Sequence, residues 1–148
     1  MIGRSLKILG LVLVSLGEAI PFSSAEPGEA ERITPAVVRA LETGDRSRLA
    51  ALFPPDRKVR VSLHRIADLE GFTGSGPLVE ALCRYLAPRT NLRFDPEPFE
   101  TSDTSGPVRV RGVLSSREKG GKRERVALVF IFERIDGALL AIEVRETG

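Results

Sequence analysis

The sequence predicts an α+β fold, a curved antiparallel β-sheet wrapped around three helices. Two observations carry this. Residues 36–56 read as two consecutive helices hinged at Gly44-Asp45, and beyond Pro88 four segments alternate apolar and polar residues with turn residues between them. A third helix falls between these regions. Thr34 suits the N-cap of the first helix with Pro35 at its first position, and Val37, Val38 and Leu41 form an apolar stripe that Gly44 ends. Asp45 restarts the helix. Leu49, Leu52 and Phe53 continue the apolar face as far as Pro54-Pro55, which cannot propagate a helix. A strand over 58–66 follows, with Val59, Val61 and Leu63 alternating against Arg60, Ser62 and His64. A glycine-rich loop, 71–76, leads into the third helix, capped by Ser75 with Pro77 in its first turn and ending near Leu86. The remaining strands are 91–100, 107–116, 123–134 and 139–146.

The chain has 148 residues, room for one domain. Residues 1–25 read as a secretory signal peptide. Arg4 and Lys7 make a positive n-region, residues 8–16 an apolar run, and Ser23-Ser24-Ala25 the small residues a signal peptidase reads. The apolar run is too short to cross a hydrocarbon core, which takes about 20 residues. Cleavage after Ala25 leaves an exported chain, periplasmic or extracellular, with no stable membrane anchor. Residues 26–33 read as a disordered lead-in and 34–148 as the folded domain. Loss of Arg4, Lys7 and Glu18 leaves 20 basic and 19 acidic side chains, a balance without the basic footprint of a nucleic-acid-binding protein. The single Cys83 cannot form an internal disulfide and falls on the apolar face of the third helix with Leu78, Val79, Leu82 and Leu86.

The run LETGDRSRLAALFPPD resembles the opening of the nuclear transport factor 2-like superfamily, in which a helix breaks at Gly-Asp and a second short helix ends in Leu-Phe before the first strand. GFTGSGPLVEALCRYL is similar to the central glycine-then-helix element of that superfamily. The resemblance spans residues 34–146 and implies a cone-shaped α+β fold. In layout the chain looks most like short exported members of undetermined role, and less closely like polyketide-cyclase-like and ketosteroid-isomerase-like members. Such enzymes need ionisable side chains aimed into the cone.

Alternation assigns the faces. Val59, Val61, Leu63, Leu92, Phe94, Val108, Val110, Leu114, Leu128, Phe130, Phe132, Leu140, Ile142 and Val144 should face the helices, a set without an ionisable group. From it, with the third helix, comes a candidate pocket for a small apolar ligand: Leu63, Leu82, Tyr85, Phe94, Val110, Phe130, Phe132 and Ile142. Even-numbered residues face inward on the last three strands, so both hairpins need loops of odd length: residues 119–121, and Asp136-Gly137 with one neighbour. The opposite face carries Arg60, His64, Arg93, Asp95, Arg109, Arg111, Glu133, Glu143 and Arg145 around a middle of Val113, Ala127, Val129, Ile131 and Ala141. Arg109, Arg111, Val113, Val129, Ile131 and Glu143 thus form a candidate partner face, suited to a homodimer in which arginines of one copy meet glutamates of the other.

Catalytic chemistry finds little support. His64 falls on the polar face, Tyr85 sits at the margin of a helix stripe, and Asp68 follows the first strand where turn chemistry accounts for it. These three are the only candidates for a cyclase-like or isomerase-like alternative. One His and one Cys do not make a metal site, and the glycine loop lacks the Lys-Ser/Thr pair of a phosphate loop, so no cofactor is expected. The basic tip between Arg117 and Arg125 reads as edge protection and solubility, with contact to an anionic surface as the alternative. Expressed in a secreting host, the protein should begin at Glu26. N-terminal sequencing that found Met1 on a membrane-embedded product would restore the anchor.

Overall fold

The computed structural model describes residues 29–98 and 106–148. The expected leader, 1–25, lies outside them. Three helices and six strands follow in the order α1 (Glu29–Thr43), α2 (Arg46–Ala50), β1 (Val59–Leu63), β2 (Leu69–Thr73), α3 (Ser75–Leu86), β3 (Thr90–Pro96), β4 (Val108–Arg117), β5 (Arg123–Ile135) and β6 (Ala138–Glu146). They build one sheet of order β2-β1-β6-β5-β4-β3. All neighbours are antiparallel except β1 and β6, which run parallel, so the sheet is mixed.

The helical hinge forms as its residues dictate. Gly44 takes φ +65°, which other residues resist, and the Asp45 side chain accepts the Ser47 N–H at 3.1 Å to cap α2. Three local readings change. Residues 29–33, expected as disordered lead-in, are the first turn and more of α1, and Pro35 sits inside that helix. Ile33 packs against the core, which offsets the backbone bond lost at Pro35. Gly74, not Ser75, is the N-cap of α3. The first half of the stretch read as a glycine loop is the end of β2, which pairs with β1 from Val59↔Thr73 to Leu63↔Leu69. Gly71, at φ +104°, hid it by breaking the apolar alternation.

The two long hairpins set the faces. The β4–β5 turn closes between Glu118 and Lys122, whose backbone groups bond at 2.9 Å around the three residues 119–121, an odd loop as parity requires. The β5–β6 turn is a two-residue one, with Asp136 at φ +51° and Gly137 at φ +85°, the signature of a type I′ hairpin. Parity is restored by a bulge: Ile131 pairs with Glu143 but Phe132 with Ala141, leaving Ile142 as the extra residue. Ala141 is therefore fully buried with the core, with Leu139 packed against it, and Leu140 and Ile142 are not members of the core. The expected inward positions of these two, and the outward position of Ala141, are reversed by the bulge.

The core lies between the helices and the inward face of the sheet. Val37 and Leu41 of α1, Leu78, Leu82 and Leu86 of α3, and Phe94, Leu114, Leu128, Phe130 and Phe132 of the sheet are each at most 2% exposed. Phe94 and Phe130 meet edge to face at 6.4 Å, and Phe130 stacks on Phe132 at 6.3 Å. The Phe94 N–H, on the free edge of β3, donates to the Glu42 carboxylate of α1 at 2.9 Å. Gly112 makes room for the Phe94 ring: a Cβ there would stand 2.6 Å from both Phe94 Cζ and the Asp95 carbonyl oxygen. Gly112→Ala should therefore destabilise the protein by about 1–3 kcal/mol, read as a lowered urea midpoint. An unchanged midpoint would show that β3 shifts freely.

Candidate functional site

Polar groups converge at one end of the cone. Tyr85, on the last turn of α3, is 8% exposed, and its hydroxyl donates to Glu124 Oε1 of β5 at 2.9 Å. Arg89, just past α3, lies with its guanidinium 3.9 Å from the Tyr85 ring centroid, a cation–π contact. Its Nη1 reaches Glu124 Oε1 at 2.8 Å and donates to the Ser116 hydroxyl of β4 at 3.1 Å, and its Nη2 lies 3.6 Å from Glu118. Arg65, from the β1–β2 loop, approaches Glu124 Oε2 at 3.4 Å. A second carboxylate pins that loop. Glu146, at the end of β6, accepts the backbone N–H groups of His64, Arg65 and Ile66 at 2.8–3.0 Å.

The groups of this cluster bond one another: Glu124 Oε1 is shared by a phenol and a guanidinium, while Oε2 has Arg65 at 3.4 Å. Burial, and then the hydrogen bond to Glu124, push the Tyr85 hydroxyl up to about 12, against a smaller lowering by Arg89. At neutral pH it is a neutral donor committed to one acceptor. The network cross-links α3, β4, β5 and the β1–β2 loop.

Of the catalytic candidates, only Tyr85 takes part. His64 is exposed, 3.2 Å from Glu70 and 3.4 Å from the Ser62 hydroxyl, and Asp68 is exposed. Glu124, Arg89 and Ser116 were missed by sequence reasoning. The signal for two of them was available: even-numbered residues of β4 and β5 face inward, and Ser116 and Glu124 obey that rule, so the inward set does hold an ionisable group. Arg89 lies outside any periodic element and had none. Among the described residues no group of three or more His, Cys, Asp or Glu gathers as a metal site.

Seven of the eight pocket candidates, Leu63, Leu82, Tyr85, Phe94, Val110, Phe130 and Phe132, join one buried cluster, packed on each other, while Ile142 stands outside it at the bulge. A groove of about 350 Å³ lies elsewhere, between the start of α1 and the β5–β6 turn, lined by Arg32, Ile33, Arg134, Gly137 and Leu139. The partner face keeps its charges outside, with Arg109 and Arg111 exposed and Glu143 3.5 Å from Arg145. Its expected apolar middle is covered at Val129 and Ile131 and half-buried at Val113 and Ala127. Val129 is 1% and Ile131 9% exposed, since Val129 stands between Arg111 and Arg145, and Ile131 between Arg109 and Glu143, whose long stems flank them.

Tyr85 is the only tyrosine, so its titration can be read directly by tyrosinate absorbance. The midpoint should fall near 12 in the folded protein, and in Glu124→Gln it should drop while staying above the ordinary value of about 10, because burial remains. The folded state holds its proton more tightly than the unfolded one. Stability should therefore be level below pH about 10 and be lost as pH rises through about 12. A midpoint at the ordinary value would show the hydroxyl to be solvated.

Neither a protein-family model nor a curated protein matches the chain. Solved structures do. A designed nuclear transport factor 2 protein with a long sheet is 13% identical with a TM-score of 0.63, over 80% of this chain and 100% of that one. IdmH of Streptomyces antibioticus, a candidate polyketide cyclase, is 14% identical with a TM-score of 0.59, over 80% and 91%. A protein of ketosteroid isomerase-like fold from Catenulispora acidiphila, solved with trimethylamine, is 16% identical with a TM-score of 0.58, over 78% and 84%. At such identities the likeness is one of architecture. The chain has the nuclear transport factor 2-like fold.

Proposed function

We propose that this protein is an exported, non-catalytic binding module that meets its partner on the outer face of the sheet, the face turned away from the helices. One observation carries this. The cone is filled by its own side chains, with Phe94, Phe130 and Phe132 at most 2% exposed, and the polar groups at its end satisfy one another. A small apolar ligand held in the cone would have to displace that core. The outer face remains the large surface whose charges are directed at solvent. The leader-like residues 1–25 support export.

A second reading, a small cyclase-like or isomerase-like enzyme, has the Tyr85–Glu124 pair in its favour together with the fold shared with IdmH and the ketosteroid isomerase-like protein. Turnover separates the two. On enone, epoxide and ester substrates, wild type, His64→Ala and Tyr85→Phe should all give the uncatalysed rate. A rate above background that either substitution abolishes would make the chain an enzyme. Native mass spectrometry of protein taken from its own envelope fraction should show the bare chain, and a retained apolar molecule would move the function into the cone.

A further inference from the structure

Along β4 and at the turn end of β5 the register sorts the charges of the hairpin by sign, while Glu133 and Arg134 at the far end of β5 do not follow it. Arg109, Arg111 and Arg117 on β4 and Arg123 and Arg125 on β5 all carry odd numbers, the outward parity, and all are exposed. Glu118 and Glu124, the acids of the hairpin's turn end, are instead drawn to Arg89. Arg117 and Arg123 are direct cross-strand partners, and Arg125 opposes Ser115 beside them. Like charges face to face destabilise a strand pair. Among the described residues nothing relieves this: Arg117 donates to the Gly121 carbonyl at 2.9 Å, and Arg109, Arg111, Arg123 and Arg125 make no ion pair. Glu133, at the far end of β5, is the one acid on the outward side of this hairpin.

The same face carries an apolar group in an unusual place. Phe72 on the edge strand β2 is 67% exposed, the one exposed large hydrophobic side chain among the described residues. It pairs with Arg60, Arg60 with Glu143, Glu143 with Ile131 and Ile131 with Arg109, so a single row runs from Phe72 to the arginines of β4 across the outer face. Arg60 is exposed and makes no ion pair among the described residues.

We propose that the outer face of the sheet docks on an anionic phospholipid surface, with the β4–β5 arginines on lipid phosphates and Phe72 in the acyl boundary. The inference rests on the binding-module reading and names its partner. Guanidinium groups take phosphate oxygens in pairs, which suits an array of headgroups. Charge alone would serve any polyanion; the exposed phenyl ring on the same face selects a bilayer, where an amphipathic surface buries its apolar part below the headgroups. Among the described residues no helix is long and apolar enough to cross a membrane, so the contact is interfacial.

The chain contains no tryptophan, which makes Phe72→Trp a single-indole reporter. Its emission should shift to the blue on vesicles of phosphatidylcholine with 30% phosphatidylglycerol (a composition of roughly the charge density at which surface potentials attract basic segments), and much less on phosphatidylcholine alone. Brominated acyl chains should quench it. Removing three charges with Arg117→Ala, Arg123→Ala and Arg125→Ala in the reporter background should weaken binding about a hundredfold at low salt. These positions are exposed, and a thermal midpoint no lower than the parent's keeps the comparison valid. Indole emission indifferent to anionic vesicles, or a triple variant that binds like its parent, overturns the proposal. So does heparin binding equal to vesicle binding with no effect of Phe72→Ser, which would make the face a site for soluble polyanions. Light scattering that finds a dimer dissociated by Arg109→Glu would assign the face to a second copy and overturn it as well. None of these outcomes bears on catalysis, which the turnover assay decides separately.

Discussion

The sheet is one piece because of a short parallel seam. Arg60, Val61 and Ser62 of β1 pair with Glu143, Val144 and Arg145 of β6, and among the described residues this is the one strand pairing that joins the N-terminal hairpin to the C-terminal meander. The seam joins segments some eighty residues apart, so its formation closes a long loop at a cost in chain entropy. Two further contacts flank it. On one side the Ala141 N–H bonds to the Leu52 carbonyl at 2.6 Å, tying β6 to the end of the helical pair. On the other the Glu146 carboxylate gathers three N–H groups of the chain leaving β1. Val61 and Val144, at the centre, are at most 2% exposed, so burial of the core face and pairing of the backbone happen together.

The bulge on β6 is what makes this seam compatible with a tight turn. A two-residue turn at Asp136-Gly137 places Ala141 opposite Phe132, and an unbroken register would then have turned Val144 away from the core. The extra residue at Ile142 reverses the faces midway, so that Ala141 near the turn and Val144 at the seam both point inward. The small side chain of Ala141 sits opposite the ring of Phe132, where a larger residue would meet a filled layer. The turn, the bulge and the seam are thus one solution.

The fold is shared with a candidate polyketide cyclase and with a protein of ketosteroid isomerase-like fold, but architecture does not carry activity with it. Here three phenylalanine rings occupy the interior, and the inward glutamate at the cone's end is bound to a tyrosine, an arginine and, through its second oxygen, the β1–β2 loop. A partly buried charge so surrounded is a structural cross-link. Its removal would leave Arg89, 12% exposed, without its nearest counter-charge. The outer face shows the opposite economy, with arginines left to solvent and one phenyl ring exposed.

The α+β class, the hinge at Gly44-Asp45, the third helix, the four strands after Pro88 and the inward positions of Phe94, Val110, Phe130 and Phe132 were legible in the sequence, because capping residues, glycine at positive φ and strand alternation act over a few neighbours. Extending the same alternation to the strand ends would have exposed Ser116 and Glu124 as inward polar groups. What the sequence hid is non-local. The β2 strand owes its place to pairing with β1, since Gly71 and two exposed residues leave it no apolar face of its own. The shift at Ile142 has no signal in a run of alternating residues, and it moved Ile142 out of the expected pocket and Ala141 into the core. Arg89 joins Tyr85 and Glu124 only when α3 lies across β4 and β5, and the pairing of Arg117 with Arg123 becomes a concentration of charge only once the hairpin closes. Local chemistry determined which segments are helix and strand; packing at long range decided which side chains meet, because contact across a sheet depends on register, and a single inserted residue reverses it.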